Sequence, residues 1–138
     1  MVVMVMDGQG GGIGSAVIKA LRTAIKVDVE ILALGTNSEA TARMMKAGAN
    51  RGATGENAIV QTSPKADVIK GPLAVLMAHA MMGEVTPRMA EAVSMSKAKK
   101  ILIPLTQEKV TLVGIAADPL PHLVEEAVRL VKEMVENV

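Results

Sequence analysis

The stretch Val2-Val3-Met4-Val5-Met6-Asp7-Gly8-Gln9-Gly10-Gly11-Gly12-Ile13-Gly14-Ser15 decides the fold. Its apolar opening is too short for a helix and reads as a buried strand; an alanine-bearing apolar run follows from Ala16, and glycines join the two. A strand that feeds through glycines straight into a helix is the first unit of an α/β domain. Glycine admits positive φ and has no Cβ, so consecutive N–H groups can converge on an anion at the helix N-terminus. A phosphate site at Asp7–Gly14 is therefore the first expectation.

Outward from this loop, Ile13, Val17, Leu21 and Ala24 recur at helical spacing and predict a helix over 12–25. Val29–Leu34 reads as a second strand. Thr36-Asn37-Ser38-Glu39 then has the form of a capping box with Thr36 as N-cap, opening a helix to Ala47 that Gly48 closes. Residues 48–57 form a second glycine-bearing loop that opens a short helix, interrupted at Ser63-Pro64. Asp67–Lys70 reads as the third strand. The uncharged run from Pro72 to Met82 favours helix by its Ala, Leu and Met content, either deep in the core or at an interface. Thr86-Pro87 starts a helix to Ser96. Lys100–Leu105 and Val110–Ile115 read as strands, and the link Thr106-Gln107-Glu108-Lys109 is too short for a parallel crossover. A C-terminal helix begins near Pro119. The expected architecture is a single domain over 1–138: a three-layer Rossmann-like α/β sandwich whose mostly parallel sheet of about five strands ends in an antiparallel strand.

Composition narrows the function. Fifteen Lys and Arg against 14 Asp and Glu give a net charge of +1, so no strong field recruits nucleic acid or an anionic membrane. The chain has no Phe, Tyr, Trp or Cys. Bases have no aromatic platform, thiol chemistry and Cys-ligated zinc are excluded, and a cytoplasmic setting is expected. The core must be aliphatic, with 11 Met residues as adaptable filler. No apolar run reaches membrane-spanning length. At 50% hydrophobic residues in so small a chain, some apolar surface is expected to lie in a homo-oligomer interface.

The spacing Gly8-x-x-x-Gly12-x-Gly14, with Ile13 between the last two, resembles the cofactor loop of short-chain dehydrogenases, which implies binding of a dinucleotide pyrophosphate. The resemblance covers the first strand and helix. Those enzymes need a catalytic Tyr, which this chain lacks, and an acid closing strand two for the ribose of NAD; here Gly35-Thr36-Asn37 stands there. NADP remains one candidate, with Thr36, Asn37 and Ser38, and Arg43 beside them, to meet a 2′-phosphate. A P-loop would need a lysine directly behind the glycines. A haloacid-dehalogenase nucleophile would stand where Val5 is. Asp7 reads as an acceptor for the loop's own N–H groups, or as a ligand for Mg²⁺ or a sugar hydroxyl. His79 reads as a buried structural histidine and His122 as the opening of the last helix, away from the glycine loop. Thr54-Gly55-Glu56-Asn57 and Glu84 with Thr86 are polar clusters in loops.

DGQGGGIG at 7–14, LGTN at 34–37, AGAN at 47–50, ATGENAIV at 53–60, DVIKGP at 67–72, GEVTPRMAEAV at 83–93, KKILIPL at 99–105 and PLPHL at 119–123 together resemble a family of short bacterial proteins that carries no assigned reaction. The resemblance runs through nearly the whole chain and implies a stand-alone domain.

The sequence thus predicts a small binding protein that holds the phosphate of a nucleotide through Asp7, Gly8, Gln9, Gly10, Gly11, Gly12, Ile13 and Gly14, with Thr36 and Asn37 beside it. No metal is expected. Two other readings stay open: an enzyme whose site at a homo-oligomer interface gathers Asp7, Asn37, Glu56 and the loop near Glu84, and an interaction module that presents 72–82 and uses the glycine loop structurally.

Overall fold

The computed structural model describes residues 1–26, 28–105, 108–115 and 118–136. Five strands, β1 (Val2–Asp7), β2 (Glu30–Gly35), β3 (Arg51–Thr54), β4 (Val68–Pro72) and β5 (Lys99–Ile103), form one sheet in the order β3-β2-β1-β4-β5. Every pairing is parallel. Helices α1 (Gly12–Ala24), α2 (Ser38–Lys46), α3 (Glu56–Thr62), α4 (Pro87–Met95) and α5 (Leu120–Glu136) complete the alternation.

Strand alternation sorts the side chains into two cores. Val3, Val5 and Val68 meet Val17, Ile18 and Leu21 of α1 and Val124, Val128 and Val131 of α5 on one face. Met4, Met6 and Ile69 meet Ile59 of α3 and Met89 and Val93 of α4 on the other. Strands buried on both faces explain why β1 is a continuous apolar run; each fully buried Ile or Leu contributes about 1.5–3 kcal/mol.

The expected antiparallel last strand is overturned. β5 lies beside β4 in parallel register, Val68 opposite Lys99 and Pro72 opposite Ile103. Val110–Ile115 forms no strand among the described residues: Leu112 and Ile115 are exposed, and Val113 is 98% exposed beside Gly114 at φ +84°. Thr106 and Gln107 of the expected short link lie outside the described residues. A strand the sequence did not suggest, β3, occupies the second glycine loop. All four of its residues are exposed, so Arg51-Gly52-Ala53-Thr54 carries no apolar alternation; its pairing to Leu32–Gly35 defines it.

The expected helix over 72–82 is also replaced. One 3₁₀ turn at Leu73–Leu76 gives way to successive turns in which His79, Met81 and Met82 hold φ of 68°, 57° and 57°. His79, expected in the core, is exposed, while Ala74, Val75 and Ala80 are buried. At α2 the N-cap is Asn37 rather than Thr36: Asn37 Oδ1 accepts from Ala40 N at 2.9 Å. Thr86 caps α4 as expected, accepting from Met89 N at 3.2 Å.

Candidate functional site

In an open parallel sheet, β1 runs to β2 and β3 on one side while β4 and β5 fill the other, so the connections diverge between β1 and β4. A crevice opens at the carboxyl ends of strands at such a switch point. Here it measures about 360 Å³, walled by the loop Asp7–Ile13 on one side and by Pro72, Ala74, Met81, Leu105 and the acidic Glu108 on the other. The structure therefore brings the predicted loop residues Asp7, Gly8, Gln9, Gly10, Gly11, Gly12 and Ile13 to one cavity. Gly14 lies behind it against α2.

Asp7, 4% exposed, ends β1 and turns its carboxylate into the loop. Oδ1 accepts from Gly8 N at 2.8 Å and Oδ2 from Gly14 N at 2.7 Å. Burial pushes the Asp7 carboxyl above its ordinary range, against the pull of the Gly14, Gly8 and Ile13 N–H groups, and the nearby Glu84 charge adds to the rise. Asp7 thus ties the first N–H of the loop, Gly8, to one in the first turn of α1, Gly14, and pins the turn.

The glycines divide by what surrounds them. A Cβ on Gly8 would strike Thr36 Oγ1 and the Met81 sulfur, and one on Gly14 would stand 2.9 Å from Asp7 Cβ. Gly11 has φ +73° and lies against α2, where a Cβ would come within 2.9 Å of Ala40 Cα. Gly10 and Gly12 differ. Only the flexible tip of Arg43 comes within 4 Å of their Cβ positions, at 3.8 and 3.6 Å. No hydrogen bond among the described residues engages the N–H of either. Packing accounts for three glycines of the loop and leaves two facing the crevice.

Glu84, delivered by the turns after Leu76, closes the neighbouring cleft between the β1 and β2 loops. Its Oε1 accepts from Thr36 Oγ1 at 2.6 Å, from Asn37 Nδ2 at 2.8 Å and from Gln9 N at 2.8 Å. Burial raises the Glu84 carboxyl, but the hydrogen bonds from Thr36, Gln9 and Asn37 together outweigh it and hold it below its ordinary value. Thr36 and Asn37 are therefore engaged by a carboxylate of the same chain. Arg43 reaches across to Gly10 O at 3.3 Å, and Ser38, exposed, is the first residue of α2.

Other sequence candidates lie elsewhere. Glu56 accepts from Thr86 Oγ1 at 2.6 Å and faces Arg88 at 3.8 Å, so it secures α4 rather than the crevice. Thr54 meets Thr41 Oγ1 at 2.8 Å. Asn57 is exposed in the first turn of α3. His122 borders a groove between α1 and α5. Among the described residues, no group of three His, Cys, Asp or Glu is placed to hold a metal ion, and no helix is long and apolar enough to cross a membrane.

One residue escaped sequence reasoning. Lys70 of β4 is 0% exposed and its Nζ has no hydrogen-bond partner. Burial lowers its amine to about 7. The available signal was a lysine inside the apolar run Val68-Ile69-Lys70-Gly71.

A family model described as "Domain of unknown function (DUF3842)" matches residues 2–136. The chain belongs to that family. No curated protein matches this DUF3842 chain in sequence. Among solved structures, the crystal structure of a dodecameric FMN-dependent Ubix-like decarboxylase from Escherichia coli O157:H7 aligns over 98% of this chain and 94% of that one, with TM-score 0.53 and 15% identity. At that identity the likeness is one of fold, and it agrees with a wholly parallel sheet in the DUF3842 protein.

Proposed function

We propose that the switch-point crevice binds a small phosphate-bearing molecule of mononucleotide size, flavin mononucleotide being the first to test, and that the chain works as a homo-oligomer. The observation that carries this reading is the pair Gly10 and Gly12, which line the crevice at the start of α1 without a packing reason to lack a side chain. Their N–H groups supply donors to a phosphate, the helix dipole favours its charge, and Arg43 adds a cation at the rim. A cavity of about 360 Å³ is at the lower end of the ~300–1,000 Å³ range of small-molecule sites, which suits a mononucleotide better than a dinucleotide. The similarly folded decarboxylase is FMN-dependent. With no aromatic residue in the chain, a flavin ring would rest on Pro72, Met81 and Leu105. NADP is not carried forward: a 2′-phosphate at Thr36 and Asn37 would meet the Glu84 carboxylate.

The same decarboxylase is a dodecamer. Here Val110, Leu112, Val113 and Ile115 form an exposed apolar segment that follows Leu105, a wall of the crevice, and a second copy is the cover it suits. Light scattering should find an oligomer that Val113→Asp with Ile115→Asp dissociates; a monomeric wild type would refute this part.

Isothermal calorimetry with FMN and with inorganic phosphate tests the site. Binding that Gly12→Val abolishes, with the variant still folded, is the expected result. Absence of binding by either, or binding untouched by Gly12→Val, would overturn the reading.

A further inference from the structure

We propose that Lys70 is a nucleophilic amine that captures a carbonyl group of the crevice ligand as an imine. This rests on the crevice being a ligand site and adds a reaction to it. On β4, Val68 belongs to the core under α1 and α5 while Ile69 belongs to the opposite one. Lys70 therefore leaves the sheet on the face of Val68 and Pro72, the latter a wall of the crevice. It stands one row below that wall, about 6.6 Å along the strand, buried beneath the crevice and not itself part of its lining, so a ligand carbonyl would have to enter past Pro72 to meet Nζ. Its register partners are Val5 on β1 and Ile101 on β5, both apolar and both in the core on that face.

An amine enclosed in this way needs a reason. Volume alone would be filled better by Met or Leu, which bury no polar atom. A lysine kept to hold an anion works best with its charge retained. Here the only cause acting on the amine is burial, which lowers it to about 7, and no carboxylate among the described residues pairs with it. A buried, unpartnered amine in apolar surroundings, part of it unprotonated at neutral pH, is the arrangement that activates lysine toward carbonyl carbon.

The step balances without an oxidant or reductant. The Nζ lone pair adds to the carbonyl carbon, and the C=O π pair moves to oxygen. The nitrogen then forms a second bond to that carbon while the oxygen leaves as water, carrying the two protons the nitrogen loses. The substrate class is a small aldehyde or ketone that also bears phosphate.

Pyridoxal 5′-phosphate, a phosphate-bearing aldehyde, is the probe, with pyridoxal as its phosphate-free counterpart. Each is incubated with the full chain at neutral pH, reduced with borohydride and mapped by peptide mass spectrometry. Lys70 is expected to be modified at least about ten-fold faster than exposed lysines such as Lys19 or Lys97. Lys70→Met, checked for cooperative unfolding, should lose that adduct. If pyridoxal labels Lys70 as fast as its phosphate and Gly12→Val changes nothing, the amine reading stands and the phosphate reading fails. If wild-type label spreads over exposed lysines while Lys70 stays unmodified, the amine reading is overturned, and calorimetry with FMN still decides the site.

Discussion

The two loops that meet at the carboxyl edge of the sheet rely on glycine to very different degrees. Asp7–Gly14 has one non-glycine residue in left-handed backbone, Gln9 at φ 50°, and otherwise places glycine where the loop is tightest, so Gly11 adopts positive φ freely and the turn is closed by Asp7. The strap from Met77 to Thr86 has one positive-φ glycine, Gly83, but three other residues, His79, Met81 and Met82, take left-handed backbone that costs non-glycine residues about 1–2 kcal/mol each. What holds it is tertiary. His79 N donates to Val85 O, Met81 N to a Glu108 carboxylate oxygen, and Glu84 accepts from Gln9 of the glycine loop and from Thr36 and Asn37 after β2. Non-glycine strain gathers where a surrounding structure imposes it, often beside a functional site.

Mirror substitutions sharpen this contrast. The largest effect is expected from Gly11→Val, where positive φ and the Ala40 backbone leave no room: about 3–4 kcal/mol of stability should be lost in urea unfolding. A loss under 1 kcal/mol would show that the loop yields and that its glycines are no more bound than the strap's residues. Next is Asp7→Asn. An amide can accept from only one of Gly8 N and Gly14 N and presents an N–H₂ to the other, so a loss of about 1–3 kcal/mol is expected although a buried charge is removed. Unchanged stability would mean that desolvation of Asp7 cancels its hydrogen bonds.

On the strap, Glu84→Gln should cost about 1 kcal/mol, its partial exposure keeping the effect small. Because the folded carboxyl lies below its ordinary value, its stabilisation is complete above that value and is lost as pH falls through the folded one. Melting temperatures from pH 7 to pH 3 should therefore fall more steeply for wild type than for Glu84→Gln, and parallel curves would remove Glu84 as the clasp. Smallest is Met82→Gly. Met82 is 95% exposed at φ 57°, so relief of strain should slightly exceed the entropy glycine adds, giving about 0–1 kcal/mol of gain. A clear loss would place the strap under the same rules as the glycine loop.

The contrast also explains what the sequence disclosed. β1, α1, β2 and the cap of α4 follow from local signals: an apolar run, helical spacing, a Thr before Pro. The strap's residues favour helix, and its turns depend on partners such as Gln9 and Thr36, more than 45 positions away in the case of Thr36. β3 was hidden because an exposed edge strand needs no apolar pattern. The antiparallel ending was inferred from a short link between two apolar runs, of which the second, Val110–Ile115, never joins the sheet. At the site, the loop was legible from its glycines, but the division between packed and open glycines depends on Ala40 and Met44 across the fold. Lys70 reads as an ordinary strand lysine until both faces of the sheet are covered.

The strand order bears on how the chain is made. β1, β2 and β3 are neighbours in space and the first three strands to be synthesised, whereas β4 follows only after α3. A ribosome-bound chain can therefore close half the sheet while the other edge of β1, destined for β4, still offers its N–H and C=O groups to any strand nearby. For this protein the hazardous interval of biogenesis is the translation of the short stretch between Thr54 and Val68.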